Sequence, residues 1–309
     1  SMGALEVAAS LADAAHTTRH SLEILIFSNE EGGKTGSRAL AGEVEGFELD
    51  IVTASGFTIA DGIQRLGGNP NRLTEVRRTD GSAEAFLELH IEQGPVLEVE
   101  NTMIGVVTGG QGLYWKHITL CGQDSHAGTT PMAYRKDALM GASRIITGLR
   151  EIIHKHSGSV CTVGRLETIP ASINTVPGEV FFTVDIRHPD DATLEGIHDQ
   201  LLGLVDSVCR QEGLSVNFDN TWKTPAVNFH EDCIAKVQRA AQDLGFSHRD
   251  IVSGAGHDAC HVTHIAPTGM IFIPCEDGIS HNEIEEATPA DLAAGCDVLL
   301  NAMVTRANA

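Results

Sequence analysis

The sequence has few basic residues and no long apolar run. Its 309 residues include 21 Lys and Arg against 42 Asp and Glu, which gives a formal charge of −21. A chain this acidic repels the phosphate backbone, so the composition argues against a nucleic-acid partner. No stretch approaches the roughly 20 consecutive apolar residues of a membrane-spanning helix. We therefore expect no nucleic acid and no membrane among its partners.

Paired cysteines are absent. The chain has seven cysteines, an odd number, and none lies in a CxxC pair. A disulfide framework or a zinc ribbon would show regular pairs. The scattered pattern predicts reduced thiols in a cytoplasmic protein.

Sequence motifs for several common chemistries are also missing. There is no GxSxG elbow for a serine hydrolase, and adjacency of Ser125 to His126 does not make a catalytic triad. Residues 109–112 lack the dinucleotide-binding glycine pattern. Cys260, near His257, is the one candidate cysteine nucleophile, but an inert buried thiol is the usual interpretation.

The strongest local signal is an acidic turn after a short apolar run. Residues 22–26 read Leu-Glu-Ile-Leu-Ile, which predicts a buried strand of a parallel or mixed sheet. Glu30, Glu31 and two glycines at 32–33 follow it. Ligands collect beyond the carboxyl ends of such strands. Two carboxylates there would divide their roles between holding a metal and moving protons, although an acidic surface loop has the same pattern.

The pattern of elements predicts an α/β protein interrupted by a smaller domain. Residues 111–223 show the order β-α-β-β-α-β of a ferredoxin-like unit. Strands are predicted at 113–120, 160–169, 179–186 and 214–218, and long helices at 131–156 and 192–212. Residues 1–110 and 224–309 show the pattern of helices and strands of an α/β protein. They are predicted to form one further domain, which includes a strand at 270–274.

Histidines beside glycine breaks could complete a metal site. His90, His126, His257 and His281 each lie near such a break. Imidazole and carboxylate ligands suit zinc, manganese or cobalt. With 15 histidines in the chain, chance pairings are common, so spacing alone does not separate metal ligands from surface or core histidines.

Five motifs together carry a resemblance to a known family. They are NEE at 29–31, HIEQGP at 90–95, GQDSHAGTTP at 122–131, GAGHDA at 254–259 and SHNE at 280–283. The chain resembles the dinuclear-metal amidohydrolases of the M20 metallopeptidase superfamily, in the branch of N-carbamoyl-L-amino acid hydrolases, allantoate amidohydrolases and β-ureidopropionases. The resemblance implies a metallo-aminopeptidase-like catalytic domain with a mixed sheet, and an inserted ferredoxin-like lid that also forms a homodimer.

The resemblance also implies roles for individual residues. In the catalytic domain the general base would be Glu30, the metal ligands Glu31, His90 and His281, and the substrate contacts Gln93, Gly256 and His257. From the lid, Asn174 and Arg187 would hold the substrate carboxylate, and a guanidinium suits that task. An ordinary surface salt bridge is the alternative for Arg187. His126 would stabilise the oxyanion in the partner's site.

The implied reaction is metal-dependent hydrolysis of the ureido C–N bond of an N-carbamoyl-L-amino acid, which releases the amino acid, ammonia and carbon dioxide. Allantoate or β-ureidopropionate is the alternative substrate. The family carries a His-x-Asp motif and a bridging Asp upstream of its first helix, and no such motif precedes Glu30 here. We therefore expect two divalent ions for the family but weak metal binding and little activity in this chain. A catalytically inactive dimerisation or ligand-binding module is the alternative of another class.

Overall fold

The structure, a computed structural model, describes residues 2–31, 33–53 and 55–309. Gly32 of the acidic turn lies outside the described residues. The chain divides into two compact units: Ser1–Gly109 with Asn228–Ala309, and Gly110–Val227. Each unit has its own sheet and its own buried core. Of the described helices, none is both long enough and apolar enough to cross a bilayer.

The first unit combines helices with a small sheet. Its elements are α1 Met2–Asp13, α2 Thr35–Ala41, α3 Ile59–Arg65, β1 Phe86–Ile91, α4 Val96–Val99, β2 Ile104–Gly110, β10 Val227–Asn228 at the unit boundary, α7 Glu231–Asp243, β11 His248–Ser253, α8 Asp258–Val262, β12 Thr268–Ile273 and α9 Pro289–Ala307, with 3-10 turns at Gly46–Asp50, Pro70–Glu75 and Glu276–Gly278.

The sheet of the first unit is mixed. Strand β1 pairs in parallel with β12, and β12 pairs antiparallel with β2. Strands β10 and β11 both pair with β2. All six residues of β12 are buried, as expected for a strand covered on both faces. The mixed-sheet α/β fold and the strand predicted at 270–274 are thus confirmed.

Helices α1, α7 and α9 cover one face of this sheet. Val7, Val237 and Val298 from these helices share one core cluster with Ile104 and Ile271 of the sheet. Thr288 caps α9, because its side chain accepts a hydrogen bond from the backbone N–H of Asp291, and Pro289 occupies the first turn. This helix start agrees with the sequence prediction.

The predicted strand at 22–26 is wrong. These residues belong to no strand and to no helix. Ile24 and Ile26 are 37% and 64% exposed. A strand exists only through a hydrogen-bonded neighbour, and a cavity separates this run from β1. The apolar pattern therefore predicted a buried strand but did not reveal that these residues have no strand beside them among the described strands.

The second unit follows the order β-α-β-β-α-β, with its second strand in two pieces. Its elements are β3 Gly112–Cys121, β4 Ser125–His126, a 3-10 turn at Met132–Tyr134, α5 Ala138–Ile153, β5 Val160–Thr162, β6 Leu166–Ile169, β7 Thr175–Val176, β8 Glu179–His188, α6 Asp191–Glu212 and β9 Ser215–Thr224.

Helices α5 and α6 pack on one face of this antiparallel sheet. Ile118 and Phe182 of the sheet share a fully buried cluster with Ile145 and Leu201 of the helices. The long helix begins at Ala138, later than the predicted 131, because the Asp137 side chain accepts the first backbone N–H groups and caps it. The predicted strand 160–169 is two short strands, both paired with β8.

Candidate functional site

The acidic turn leads from residues 22–26 into α2. Asn29 and Lys34 adopt the left-handed region, with φ of 56° and 57°, a conformation that asparagine tolerates better than most residues. The turn folds back so that Lys34 Nζ lies 3.5 Å from Glu30 Oε1. Glu30 is therefore a partly buried carboxylate held beside a cation.

Glu31 meets His281 at the edge of this turn. Glu31 Oε2 lies 3.6 Å from His281 Nε2, and both side chains are largely exposed. His281 has a φ of 55°, and Gln93, with a φ of 57°, donates from Nε2 to Ser280 Oγ at 2.7 Å. Gln93 thereby ties the loop after β1 to the loop that carries His281.

The half-buried His90 and the buried His257 form a second pair. Their ring centroids are 4.6 Å apart in an edge-on arrangement. His90 Nδ1 donates to the carbonyl of Ile91 at 2.8 Å. His257 Nε2 contacts Ser253 Oγ at 2.8 Å, and Ser253 donates its hydroxyl proton to Ala255 O. This assigns the His257 proton to Nε2 and leaves Nδ1, which has no hydrogen-bond partner, as an acceptor.

The charge state of His257 follows from its burial. Burial, together with the neighbouring His90 and Lys34, lowers the pKa of His257 to about 3. His257 is therefore neutral at physiological pH. Gly256 lies on the same loop, and a Cβ added there would sit 3.7 Å from Lys34 Cε. The loop before α8 thus packs against the acidic turn.

Two acidic residues of this region were missed by the sequence analysis. Glu88 accepts a hydrogen bond from Ala259 N at 2.8 Å, and its Oε1 lies 4.0 Å from His257 Nδ1. Burial, together with the nearby Asp258 and Glu30 carboxylates, raises the pKa of Glu88 to about 7, although the hydrogen bond from Ala259 N opposes the shift. Burial also raises the pKa of Asp258. Glu88 could have been found, because strand residues two apart share a face and Glu88 precedes His90 by two.

Glu92 of the HIEQGP motif has a structural role. Its carboxylate accepts hydrogen bonds from the backbone N–H groups of Val96 and Leu97 at 2.9 and 2.7 Å. A carboxylate at a helix start satisfies otherwise unpaired N–H groups. Glu92 therefore holds the turn that positions Gln93.

The predicted metal ligands do not form a complete metal site. Glu31 and His281 approach each other, whereas His90 packs against His257 and Phe272. Within 2–31, 33–53 and 55–309, no group of three or more His, Cys, Asp or Glu side chains could hold a metal ion. Protein zinc sites take at least three protein ligands, so the side chains as placed do not fit a resident metal.

The structure places His126 beside Asn174 in the second unit. Strand β4 pairs with β7, and Ala127 N donates to Asn174 O at 2.9 Å. His126 Nδ1 accepts hydrogen bonds from Gly128 N and Thr129 N at 3.0 and 3.2 Å. An accepting Nδ1 places the proton of the neutral ring on Nε2. His126 therefore presents an exposed N–H donor.

Arg187 lies at the opposite end of β8 from Asn174. Asn174 immediately precedes β7, which leads into the start of β8 at Glu179, whereas Arg187 pairs with Leu113 near the other end. Arg187 lies eight residue steps along β8 from Glu179, a distance of roughly 27 Å. Arg187 forms an ion pair with Asp185 at 2.7 Å. One copy of this unit therefore does not bring Asn174 and Arg187 to a single carboxylate.

Comparison with known proteins identifies the family. The model of peptidase family M20/M25/M40 matches residues 1–305. An N-carbamoyl-L-amino-acid amidohydrolase from Rhizobium meliloti is 36% identical over 313 residues, which cover 99% of this chain and 74% of that protein. An allantoate amidohydrolase from Escherichia coli K12 is 34% identical over 285 residues, covering 90% of this chain and 69% of the relative.

Solved structures agree with these relatives. The crystal structure of an amidase of the hydantoinase/carbamoylase family from Burkholderia multivorans superposes with a TM-score of 0.91 at 44% identity, covering 99% of this chain and 75% of that one. Both the sequence match and the structural match extend over nearly the whole chain. The chain therefore belongs to peptidase family M20/M25/M40, and it is a hydrolase by family.

Proposed function

We propose that this chain hydrolyses the ureido C–N bond of N-carbamoyl-L-amino acids and releases the amino acid, ammonia and carbon dioxide. Relatives with that name from three bacteria are 33–37% identical to it, and the chain covers 74% of each. The observation that carries the proposal is the approach of Glu31 to His281 beside Glu30, which brings distant motifs together.

Glu30 is the proposed general base. It is partly buried and held beside Lys34, and about a third of its side chain remains accessible to a substrate. In the proposal Glu30 takes the proton from the attacking water and passes it to the leaving nitrogen, as one carboxylate does in general acid–base catalysis. Gln93, Gly256 and His257 line the substrate pocket.

We propose that turnover depends on divalent zinc, manganese or cobalt. Metals polarise a carbonyl and activate water in such hydrolyses. The described side chains do not assemble three ligands, so Glu31, His90 and His281 are proposed as ligands without a step assigned to the ion. Activity should accordingly require excess metal in the assay.

We further propose that a homodimer completes the carboxylate-binding site. Asn174 lies near the start of β8 and Arg187 near its end, so in this proposal the two residues that contact one substrate come from different subunits. His126 adjoins Asn174 and presents an N–H donor, which suits it to the oxyanion of the same site. In this arrangement Asn174 and His126 act on the partner's substrate.

Allantoate is the second candidate substrate. Relatives from Escherichia coli and Arabidopsis thaliana that are named for allantoate hydrolysis are 34% and 31% identical to this chain. Allantoate and β-ureidopropionate offer the same ureido group and carboxylate. Arg187 and Asn174 would bind either carboxylate, so these residues do not distinguish the substrates.

A substrate panel tests the proposal. Purified protein would be assayed for ammonia release from N-carbamoyl-L-amino acids, allantoate and β-ureidopropionate, each with excess Zn²⁺, Mn²⁺ or Co²⁺. We expect ammonia from a carbamoyl amino acid, and loss of that signal in Glu30→Gln. Turnover of allantoate alone would assign the second function. No turnover of any substrate, with carboxylate binding detected by calorimetry, would indicate an inactive binding module.

A further inference from the structure

One face of the sheet in the second unit is not covered by α5 or α6. The even-numbered residues of β3 and β8 are buried, and most of them share a cluster with these helices. The odd-numbered residues point to the opposite face. Trp115 and Trp222, the two tryptophans of the chain, lie there as direct partners across β3 and β9. They are 46% and 62% exposed, and we name them the tryptophan pair.

The indole rings of the tryptophan pair do not take part in the ring packing of this face. His117 and Phe181 form an edge-on pair with centroids 5.4 Å apart, and the Arg165 guanidinium lies 4.9 Å from the Phe181 ring. Among the described residues, no ring pair or cation–π contact includes either indole. The flat faces of both indoles therefore remain accessible to a ligand.

Arg187 lies beside the tryptophan pair on the same face. In the antiparallel register of β3 and β8, Asp185 is opposite Trp115 and Arg187 is opposite Leu113. Trp115 and Arg187 are therefore diagonal neighbours, roughly 7–8 Å apart, which long and aromatic side chains can span. Asp185 accepts hydrogen bonds from Nε and Nη2 of Arg187 at 3.0 and 2.7 Å. These bonds orient the guanidinium next to the exposed indoles.

Apolar side chains flank Arg187 on both neighbouring strands. Leu113 of β3 and Val160 of β5 are its direct cross-strand partners, and Val160 is 52% exposed. The attraction between a guanidinium and a carboxylate strengthens when water around them is displaced. A ligand that places a carboxylate on Arg187 and an apolar group beside it would displace that water. The face therefore matches a ligand with an anionic group and a large apolar group close together.

We propose that the tryptophan pair binds the side chain of the substrate and selects N-carbamoyl-L-amino acids with aromatic side chains. The proposal rests on the proposed function, because it takes Arg187 as the group that binds the substrate carboxylate. In an α-amino acid the carboxylate and the side chain are attached to one carbon, and neighbouring strands lie about 4.8 Å apart. A carboxylate on Arg187 therefore brings a benzyl group over Trp115, where aromatic rings attract each other.

This contact would separate the candidate substrates that Arg187 alone does not distinguish. β-Ureidopropionate has no side chain, and allantoate has a second, polar ureido group in that position. Neither compound offers a ring to the tryptophan pair. We therefore expect both to bind more weakly than an aromatic N-carbamoyl-L-amino acid.

Intrinsic fluorescence tests the binding directly, because the chain has no tryptophan outside the pair. The protein would be titrated with N-carbamoyl-L-phenylalanine and with N-carbamoyl-L-alanine, which differ by one phenyl ring. Neither ligand contains an indole, so any change in tryptophan emission comes from the protein. We expect the phenylalanine derivative to change the emission and to bind about tenfold more tightly, or better. The titration measures binding and not turnover, so it gives a result for an inactive protein as well.

Ring-deletion variants check the location of the bound side chain. Trp115→Leu removes one ring and leaves Trp222 as the reporter. In this variant the preference for the phenylalanine derivative should fall to about twofold or less, while the alanine derivative should bind as before. Phe47→Leu, which removes an exposed ring of the first unit, is the matched control and should keep the full preference.

A second pair of variants tests the part played by the carboxylate. Arg187→Ala should weaken the binding of both ligands. Arg210→Ala, which removes an exposed arginine paired with Asp206 on α6, should weaken neither. Preserved binding of the phenylalanine derivative in Arg187→Ala would overturn the proposal, because the side chain would then bind without the carboxylate contact.

Further outcomes would also overturn the proposal. They are equal affinity for the two ligands, no binding of either ligand, or a preference that survives in Trp115→Leu. Emission that shifts to shorter wavelength as the protein concentration rises, and that no longer responds to ligand, would show that a second copy covers the tryptophan pair. Failure of the proposed function is a separate result. Tight binding of the phenylalanine derivative without ammonia release would contradict hydrolysis and retain the tryptophan pair as a binding site.

Discussion

Glu31 and His281, which belong to motifs at opposite ends of the chain, approach to 3.6 Å between Oε2 and Nε2. The contact depends on two left-handed residues, Gln93 and His281. Such backbone conformations are costly for non-glycine residues and concentrate at functional sites. Gln93 holds the His281 loop through Ser280, so the HIEQGP motif and the SHNE motif act as one structural unit.

Replacing Glu30 by glutamine should remove catalysis and leave the fold intact. The amide keeps the size of the side chain but does not accept a proton. We expect kcat to fall by about 10²- to 10⁴-fold, the usual contribution of a general base. Glu98→Gln, an exposed change in α4, is the control. Wild-type kcat in Glu30→Gln, measured by ammonia release with excess metal, would remove Glu30 from the mechanism.

Metal should be held weakly. Only two predicted ligands, Glu31 and His281, approach each other, and both are exposed. Fewer than three protein ligands do not make a tight zinc site. After incubation with Zn²⁺, Mn²⁺ or Co²⁺ and desalting, elemental analysis should find less than one equivalent per chain. Retention of two equivalents would show that the ligands rearrange into complete sites.

Asn174 and Arg187 should complement each other between subunits. In a mixed dimer of Asn174→Ala and Arg187→Ala, one of the two active sites contains both natural residues if they come from different chains. Random mixing should then restore about a quarter of wild-type turnover. As a control, each variant is subjected to the same mixing procedure without the other variant, and it should remain inactive. Equally low activity in the mixture would place both residues in a site of one subunit.

The stability of the first unit should depend on Glu43 in a defined pH range. Glu43 Oε2 lies 2.6 Å from His261 Nδ1, and its other oxygen contacts His264 Nδ1. Burial raises the pKa of Glu43, but the hydrogen bonds from His261 and His264 outweigh it, so the pKa falls below 4.5. A pKa lowered by folding contributes stability above the unfolded value and loses it as pH falls through the folded value.

The Glu43→Gln variant measures this contribution. Urea unfolding of the variant and the wild type should differ most above about pH 5, where an unfolded carboxyl is ionised. The difference should shrink as the pH falls toward about 3. The exposed Glu98→Gln variant should show no such trend. A difference independent of pH would mean that Glu43 contributes by packing alone.

Much of the fold was predictable because its signals are local. The Thr288 and Pro289 start of α9 follows from capping chemistry within one turn, and the buried strand β12 follows from six consecutive apolar or small residues. The start of α5 was placed too early because Pro131 suits a first helical turn. The side chain of Asp137 caps the helix instead. Pro131 and Asp137 are both typical of a helix start, and the sequence pattern alone does not show which of the two begins the helix.

The candidate site was predictable in its residues but not in its arrangement. Motif resemblance identified Glu30, Glu31, His90 and His281 as candidates. It did not reveal that His90 packs against His257. Glu88 was overlooked, although its spacing of two residues from His90 places both side chains on one face of β1.

The sequence by itself determined the family, the α/β class, the order of elements and the residue types available for chemistry, since these depend on local patterns and motifs. Tertiary structure alone decided which distant residues meet. It also decided that the run at 22–26 has no partner among the described strands, that Asn174 lies near the start of β8 and Arg187 near its end, and that the pKa of the half-buried Glu88 is raised. Pairing, distance and burial depend on residues far apart in the chain, and no local pattern records those contacts.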